Sequence, residues 1–247
     1  MSVLEQSKED EIAVRQRVDA LDWAAAKESL SARGYAVTAS LLRAEECAEL
    51  VALYKDEKRF RSHIVMERYR FGEGDYKYFE SPLPPVVANL RKAAYRHLAK
   101  VANCWAEAFG ESGARYPPDH AAFLEECKRA GQNKPTPLML HYEAGGYNCL
   151  HQDLYGEVSF PLQMVLLLGQ AGRDWEGGEF ILVEQRPRAQ SKAEVVSGNQ
   201  GQAIIFTTRY RPVKGTRGYY RASLRHGVSR VHRGTRFTLG IIFHDAK

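Results

Sequence analysis

Long apolar runs are missing from this chain of 247 residues. Its longest uninterrupted aliphatic stretch, Met164 to Leu168, falls far short of the ~20 residues a membrane helix needs. The opening stretch, MSVLEQSKEDEIAVRQRV, has no apolar segment of the kind a secretory signal carries. Cysteine is scarce: Cys47, Cys104, Cys127 and Cys149 lie far apart and form no C-x-x-C pair. That spacing suits reduced thiols in a cytoplasmic protein and argues against a disulfide framework or a zinc site. There is no internal repeat and no low-complexity tract. A composition of 44% hydrophobic and 26% charged residues excludes global disorder. The length sits near the upper end of what one core supports, so residues 1–247 are expected to form one domain.

Charge of both signs is present, 35 Lys+Arg against 30 Asp+Glu, but it is unevenly placed. Residues 1–137 are balanced at 21 of each sign, whereas residues 138–247 carry 14 basic and 9 acidic. Between Arg186 and Arg236 there are twelve basic residues and one acid, Glu194. This predicts a positive face and an anionic partner or substrate; the alternative is a solvated basic face with no partner.

Residues 1–136 read as mostly helical support. Ile12, Val14, Val18, Leu21, Trp23 and Leu30 recur at roughly helical spacing, and Gly34 follows as a C-terminal cap. A short strand is expected from Tyr35. An amphipathic helix is expected over 41–57, with Ser40 as its N-cap. Residues 60–79 predict a lid-like hairpin carrying aromatics. Helices are expected from Val86 to Phe109 and from Asp119 to Ala130, each followed by glycine. From Leu138 the pattern changes to about seven short apolar runs separated by turn signals, with no helical spacing between them. The fold class predicted is α+β: a double-stranded β-helix (jelly roll, cupin-like) over 137–247, backed by an N-terminal helical layer.

The chemistry concentrates in the second half. His151 and Asp153 are two residues apart at the end of a strand run, so an imidazole and a carboxylate point to one side. His226, on another strand run, is the best third ligand, although a lone histidine there also reads as a satisfied core residue. Two histidines and one carboxylate leave several positions of an iron open. Arg236, ten residues after His226 in the run Arg-Phe-Thr-Leu, has a planar fork suited to a carboxylate.

The pattern His151-x-Asp153, His226, then Arg236 resembles the Fe(II)- and 2-oxoglutarate-dependent dioxygenases. The resemblance covers about residues 137–247, and residues 20–57 are similar to the N-terminal element many members carry. It implies Fe(II) held by His151, Asp153 and His226, with 2-oxoglutarate and O₂ as cosubstrates. It also implies that Arg236 pairs with the distal 2-oxoglutarate carboxylate, with Tyr142 and Thr238 in the same pocket. The reaction implied is C–H hydroxylation with release of succinate and CO₂. Both histidines must be neutral to bind metal, so activity is expected to fall at low pH.

Two substrate classes compete. The first is alkylated nucleic acid, single-stranded or with a flipped base, as in the AlkB-type members; it would make the protein a DNA-repair enzyme. The basic stretch, the segment RYRFGEGDYKYF and the segment YEAGGYNCLHQD point that way, with Arg70, Tyr76 and Tyr78 as base contacts. Two departures count against it. AlkB-type proteins carry a second arginine where this chain has Ile242, and an asparagine where it has Leu140. The second class is a protein or free amino acid, as in the prolyl hydroxylases, whose Gly-Gly-Glu strand start resembles residues 177–179. Glu179 is then a pocket residue, against a bland reading as an exposed turn glutamate. Gln163, polar in an apolar strand, is expected to face cosubstrate or substrate. A non-catalytic jelly-roll binding module is the third reading, and an intact triad argues against it. No obligate protein partner and no membrane association is expected.

Overall fold

The computed structural model describes residues 3–113, 115–153 and 156–247, with side chains from Glu11 onward. The helical opening is two helices, α1 (Val3–Asp19) and α2 (Trp23–Arg33). Asp22 separates them, because its carboxylate accepts the Ala25 amide and so starts α2. Gly34 ends α2 at φ 83°, a left-handed conformation open to glycine, and its N–H donates to the Leu30 carbonyl. β1 (Tyr35–Ser40) keeps Ser40 within the strand, so α3 (Ala44–Leu53) is capped instead at Arg43. There the Glu46 side chain accepts the Arg43 backbone N–H at 2.7 Å.

β2 (Phe60–Val65), β3 (Gly72–Glu73) and β4 (Asp75–Phe79) precede the long helix α4 (Pro85–Ala108) and then α5 (His120–Arg129). Along α4, Val87, Leu90, Ala94, Leu98, Val101 and Trp105 recur every three or four residues and are all buried. Burial of each large aliphatic side chain contributes roughly 1.5–3 kcal/mol. Arg91 lies on the same buried face. It donates to the Ile242 carbonyl and to Asp245, both at 2.8 Å, and so ties α4 to the chain's last strand.

Among the described residues from 138 onward there are eleven strands, rather than about seven as the apolar runs predict. The runs form β5 (Leu138–Tyr142), β6 (Tyr147–His151), β7 (Leu162–Leu167), β9 (Phe180–Gln185), β11 (Gln202–Thr207), β13 (Gly218–Val228) and β15 (Arg236–Ile242). The additional strands are β8 (Trp175–Gly177), β10 (Lys192–Val196), β12 (Tyr210–Gly215) and β14 (Val231–Gly234). These are short or polar, and their partners rather than their own pattern make them strands.

The strands form a seven-stranded sheet, β1-β11-β7-β15-β5-β4-β2, and a six-stranded one, β10-β9-β13-β6-β3 with β12 beside β13. From β5 onward the chain passes back and forth between these two sheets, which is the double-stranded β-helix, while β8 and β14 pair with each other as a separate ribbon. β2 and β4 pair with each other, and β4 also pairs with β5, so this hairpin extends the larger sheet.

Alternation sorts the larger sheet's side chains. Ala203, Ile205, Leu239 and Ile241 face the helices and join their core. Ile204, Phe206 and Val165 face inward and pack with Phe180 and Leu182 of the smaller sheet. The inward positions of β15 recur with period two: Arg236, Thr238, Gly240 and Ile242 all line one cavity between the sheets. Among the described residues no helix is long and apolar enough to cross a membrane.

Candidate metal centre

β6 and β13 are paired so that His151 stands directly opposite His226, with ring centroids 4.1 Å apart. Asp153 follows β6 and turns its carboxylate between them. His151 Nε2 lies 3.4 Å from Oδ1, and His226 Nε2 lies 3.2 Å from Oδ2. One ligand atom from each residue falls within 4.8 Å of the others. His151 Nδ1 is 2.8 Å from the Cys149 carbonyl. A carbonyl only accepts, so Nδ1 carries the proton and Nε2 presents its lone pair to the centre. Phe206 and Phe180 pack on the His226 ring at 4.7 and 5.9 Å and keep it dry.

Burial alone would raise the Asp153 carboxyl, but the adjacent imidazoles hold it well below the usual carboxylate range. Burial lowers His226. For His151 burial also lowers, but the Asp153 carboxylate outweighs it and the net shift is upward. Two imidazoles and one ionised carboxylate converging here, His226 and Asp153 closed off and His151 half-buried, are the donor set of an open divalent-iron site.

These groups stand in a cavity of about 400 Å³, a size typical of small-molecule sites. Arg236 reaches into it, 2% exposed, and its Nε has no hydrogen-bond partner. Its guanidinium carbon is 5.6 Å from the Tyr142 ring centre and 5.8 Å from that of Trp175. A buried guanidinium with an unsatisfied N–H is costly unless an anion completes it. The Tyr142 hydroxyl, pushed up to about 12 by burial, stays protonated at neutral pH. It accepts a hydrogen bond from Asn148 Nδ2 at 3.3 Å, and Thr238 lines the same end.

The structure therefore brings His151, Asp153, His226, Arg236, Tyr142 and Thr238 into one cavity. Arg70, Tyr76 and Tyr78 line it too, the tyrosines forming an edge-on pair at 5.6 Å. Phe71 lines it as well and stacks on Tyr69, just outside, at 5.5 Å; the two remain 46% and 55% exposed. Glu179 is placed differently from its expected pocket role. It is exposed in the turn before β9, accepts the Ser229 hydroxyl, and does not line the cavity. Gln163 lines the cavity, but its amide is already committed to Asp153.

Asn148 was not singled out from the sequence. A register shift of β6 against β13 lies between the pairs His151↔His226 and Asn148↔Val228, so simple alternation from His151 misses Asn148. Cys149 is exposed and also lines the cavity.

The basic stretch is partly paired. Glu184 takes both Arg186 and Arg211, at 2.5 and 2.6 Å. Glu176 takes Arg233 at 2.5 Å, Glu73 takes Arg230 at 3.4 Å, and Lys192 pairs with Glu194. These carboxylates meet part of the positive excess, while Arg188, Arg209, Lys214, Arg217 and Arg225 remain exposed.

A double-stranded β-helix carrying this triad beside a buried arginine defines an oxygenase of the 2-oxoglutarate/Fe(II) superfamily. The chain belongs to the Oxygenase-NA family, described as oxygenase, catalysing oxidative methylation of damaged DNA, whose profile matches residues 74–246. It is 45% identical over 168 residues to the uncharacterized protein Rv2227 of Mycobacterium tuberculosis strain H37Rv, covering 68% of this chain and 72% of that one. The uncharacterized protein MT2286 of the Oshkosh strain aligns to the same extent, 45% over 168 residues. Among solved structures, a Pseudomonas putida prolyl-4-hydroxylase superposes with a TM-score of 0.53 at 16% identity, over 91% of this chain and 99% of that one. A 2OG-Fe(II) oxygenase family oxidoreductase from Burkholderia pseudomallei gives 0.51 at 16% identity, over 91% and 92%. At such identities the two structures speak for the fold.

Proposed function

We propose that this enzyme is an Fe(II)- and 2-oxoglutarate-dependent dioxygenase that removes alkyl groups from damaged DNA bases. The observation that carries the oxygenase chemistry is the convergence of His151, Asp153 and His226 on the cavity that holds the buried Arg236, whose Nε is unsatisfied. The three donors would hold Fe(II), and Arg236 would bind the distal carboxylate of 2-oxoglutarate with Thr238 and the Tyr142 hydroxyl beside it. When bound, iron, 2-oxoglutarate and O₂ together supply hydroxylation of a substrate C–H bond, with succinate and CO₂ as coproducts. Hydroxylation of an N-methyl group gives an N-hydroxymethyl group, which breaks down to the free base nitrogen and formaldehyde.

The chain's own contribution is geometry and a dry site. Asn148 orients the Tyr142 hydroxyl, and Phe180 and Phe206 exclude water from His226. The DNA reading is supported by the family description and by the aromatic wall. Tyr76 and Tyr78 line the cavity, with Phe71 and Arg70 at its rim, and such surfaces suit an unstacked base. The fold shared with a prolyl-4-hydroxylase makes a prolyl peptide the competing substrate.

The test is a single-stranded oligonucleotide carrying 1-methyladenine, incubated with the enzyme, Fe(II), 2-oxoglutarate and O₂. Formaldehyde is expected in step with succinate, and none after chelation of the metal. His151→Ala and Asp153→Ala should abolish both products; full turnover in either variant would sink the metal assignment. Hydroxylation of a proline peptide without release of formaldehyde from the oligonucleotide would move the enzyme to the other substrate class.

A further inference from the structure

β7 contains one polar residue. Gln163 stands in the strand LQMVLL, every position of which is buried. A buried amide without a partner costs about 1–3 kcal/mol, so its place needs a reason. Its neighbours across the sheet offer none: Phe206 on β11 and Ile242 on β15 are both apolar. The side chain instead points out of the sheet into the cavity, where Nε2 donates to Asp153 Oδ2 at 2.8 Å. The same oxygen lies 3.2 Å from His226 Nε2. Asp153 follows the end of β6 and belongs to no strand, so the sheet ladder does not fix its carboxylate.

We infer that Gln163 is the positioning residue of the metal centre, holding the Asp153 carboxylate turned between the two imidazoles. It rests on the reading of His151, Asp153 and His226 as the iron ligands. A neutral amide suits the task. It fixes the rotation of the carboxylate without cancelling the negative charge that a divalent cation requires, whereas a lysine or arginine at this point would neutralise it. Gln163 thus moves from the substrate side of the pocket, where the sequence put it, to the support of the metal.

The test uses the full chain, freed of metal and titrated with Co(II). Gln163→Leu removes the donor, and Gln163→Met does so with an unbranched side chain of similar length. Each is expected to weaken Co(II) binding about 10–100-fold and to shift the visible absorption bands of the saturated protein. Their metal-free unfolding temperature should match or exceed the parent's, because an apolar side chain suits β7. In turnover, kcat should fall with little change in the KM for 2-oxoglutarate. A merely structural glutamine would leave affinity and spectrum unchanged, and that result in either folded variant overturns the inference. If Gln163→Leu does not fold, Gln163→Met decides. If the parent chain itself takes up no Co(II), the metal-centre reading fails and this inference falls with it. Tight parent binding matched by both variants removes the inference alone.

Discussion

Arg236 is a residue whose cost is visible before its use. Its guanidinium is 2% exposed, its Nε is unpartnered, and burial lowers its pKa. Arg236→Met should therefore leave the ligand-free protein as stable as the parent or more so, while 2-oxoglutarate binds about 100-fold more weakly. Thermal unfolding and a 2-oxoglutarate titration check the two halves; a large fall in unfolding temperature would make Arg236 structural. Asp75 is the contrasting case. It accepts from Tyr54 at 2.5 Å, from His63 at 2.6 Å and from His141 at 2.8 Å. Burial would raise its carboxyl, yet these hydrogen bonds hold it at about 2. A depressed folded-state pKa gives stability that is whole above the unfolded value near 4 and disappears as pH falls toward 2. Asp75→Asn should cost about 1–2 kcal/mol at pH 7, allowing for partial screening by water. Denaturant melts should show the gap to the parent closing by about pH 2–3; a gap independent of pH would refute the ion-based account.

The ladder between β6 and β13 places the two histidines, and Gly227 keeps that ladder tight. A Cβ at Gly227 would lie 2.7 Å from the Asn148 carbonyl oxygen, a backbone atom that cannot swing aside. Gly227→Ala should push β6 away and weaken Co(II) binding by about tenfold or more, since small misplacements of ligands are expensive. Unchanged affinity would mean that the strands yield elsewhere. The sequence made much of this arrangement legible. Long apolar strands, α4, the glycine stop after α2 and the spacing of His151, Asp153, His226 and Arg236 are all local patterns. What escaped depends on partners far along the chain. Asn148 enters the cavity through a register shift, Gln163 acts on a carboxylate ten residues earlier in the chain, and Lys192–Val196 is a strand because β9 is beside it. Glu179 misled because a Gly-Gly-Glu segment looks the same whether its glutamate faces a cavity or solvent.

The whole molecule redistributes the charge that the sequence concentrates. Arg186, Lys192, Arg211, Arg230 and Arg233 each have a carboxylate neighbour and Arg221 has Glu111 at 3.7 Å, which leaves Arg188, Arg209, Lys214, Arg217 and Arg225 exposed to meet phosphates. Single-stranded DNA should bind with a slope of log K against log salt of about −3.5, corresponding to about five phosphates at ~0.7 each. Fluorescence anisotropy over a salt series measures it, and a slope near −6 would mean that the paired residues let go of their carboxylates to bind DNA.

The order of the larger sheet has a consequence for how the chain can be divided. Its two outermost strands, β1 and β2, both precede residue 74, where the family match begins. Cutting there would uncover β11, a strand buried along almost its whole length, on one side and β4 on the other. Bare strand edges of that kind invite pairing between molecules. A 74–247 fragment should accordingly aggregate even though it keeps all three metal-site residues. The residues before the family match act as edge guards that keep the sheet from polymerising.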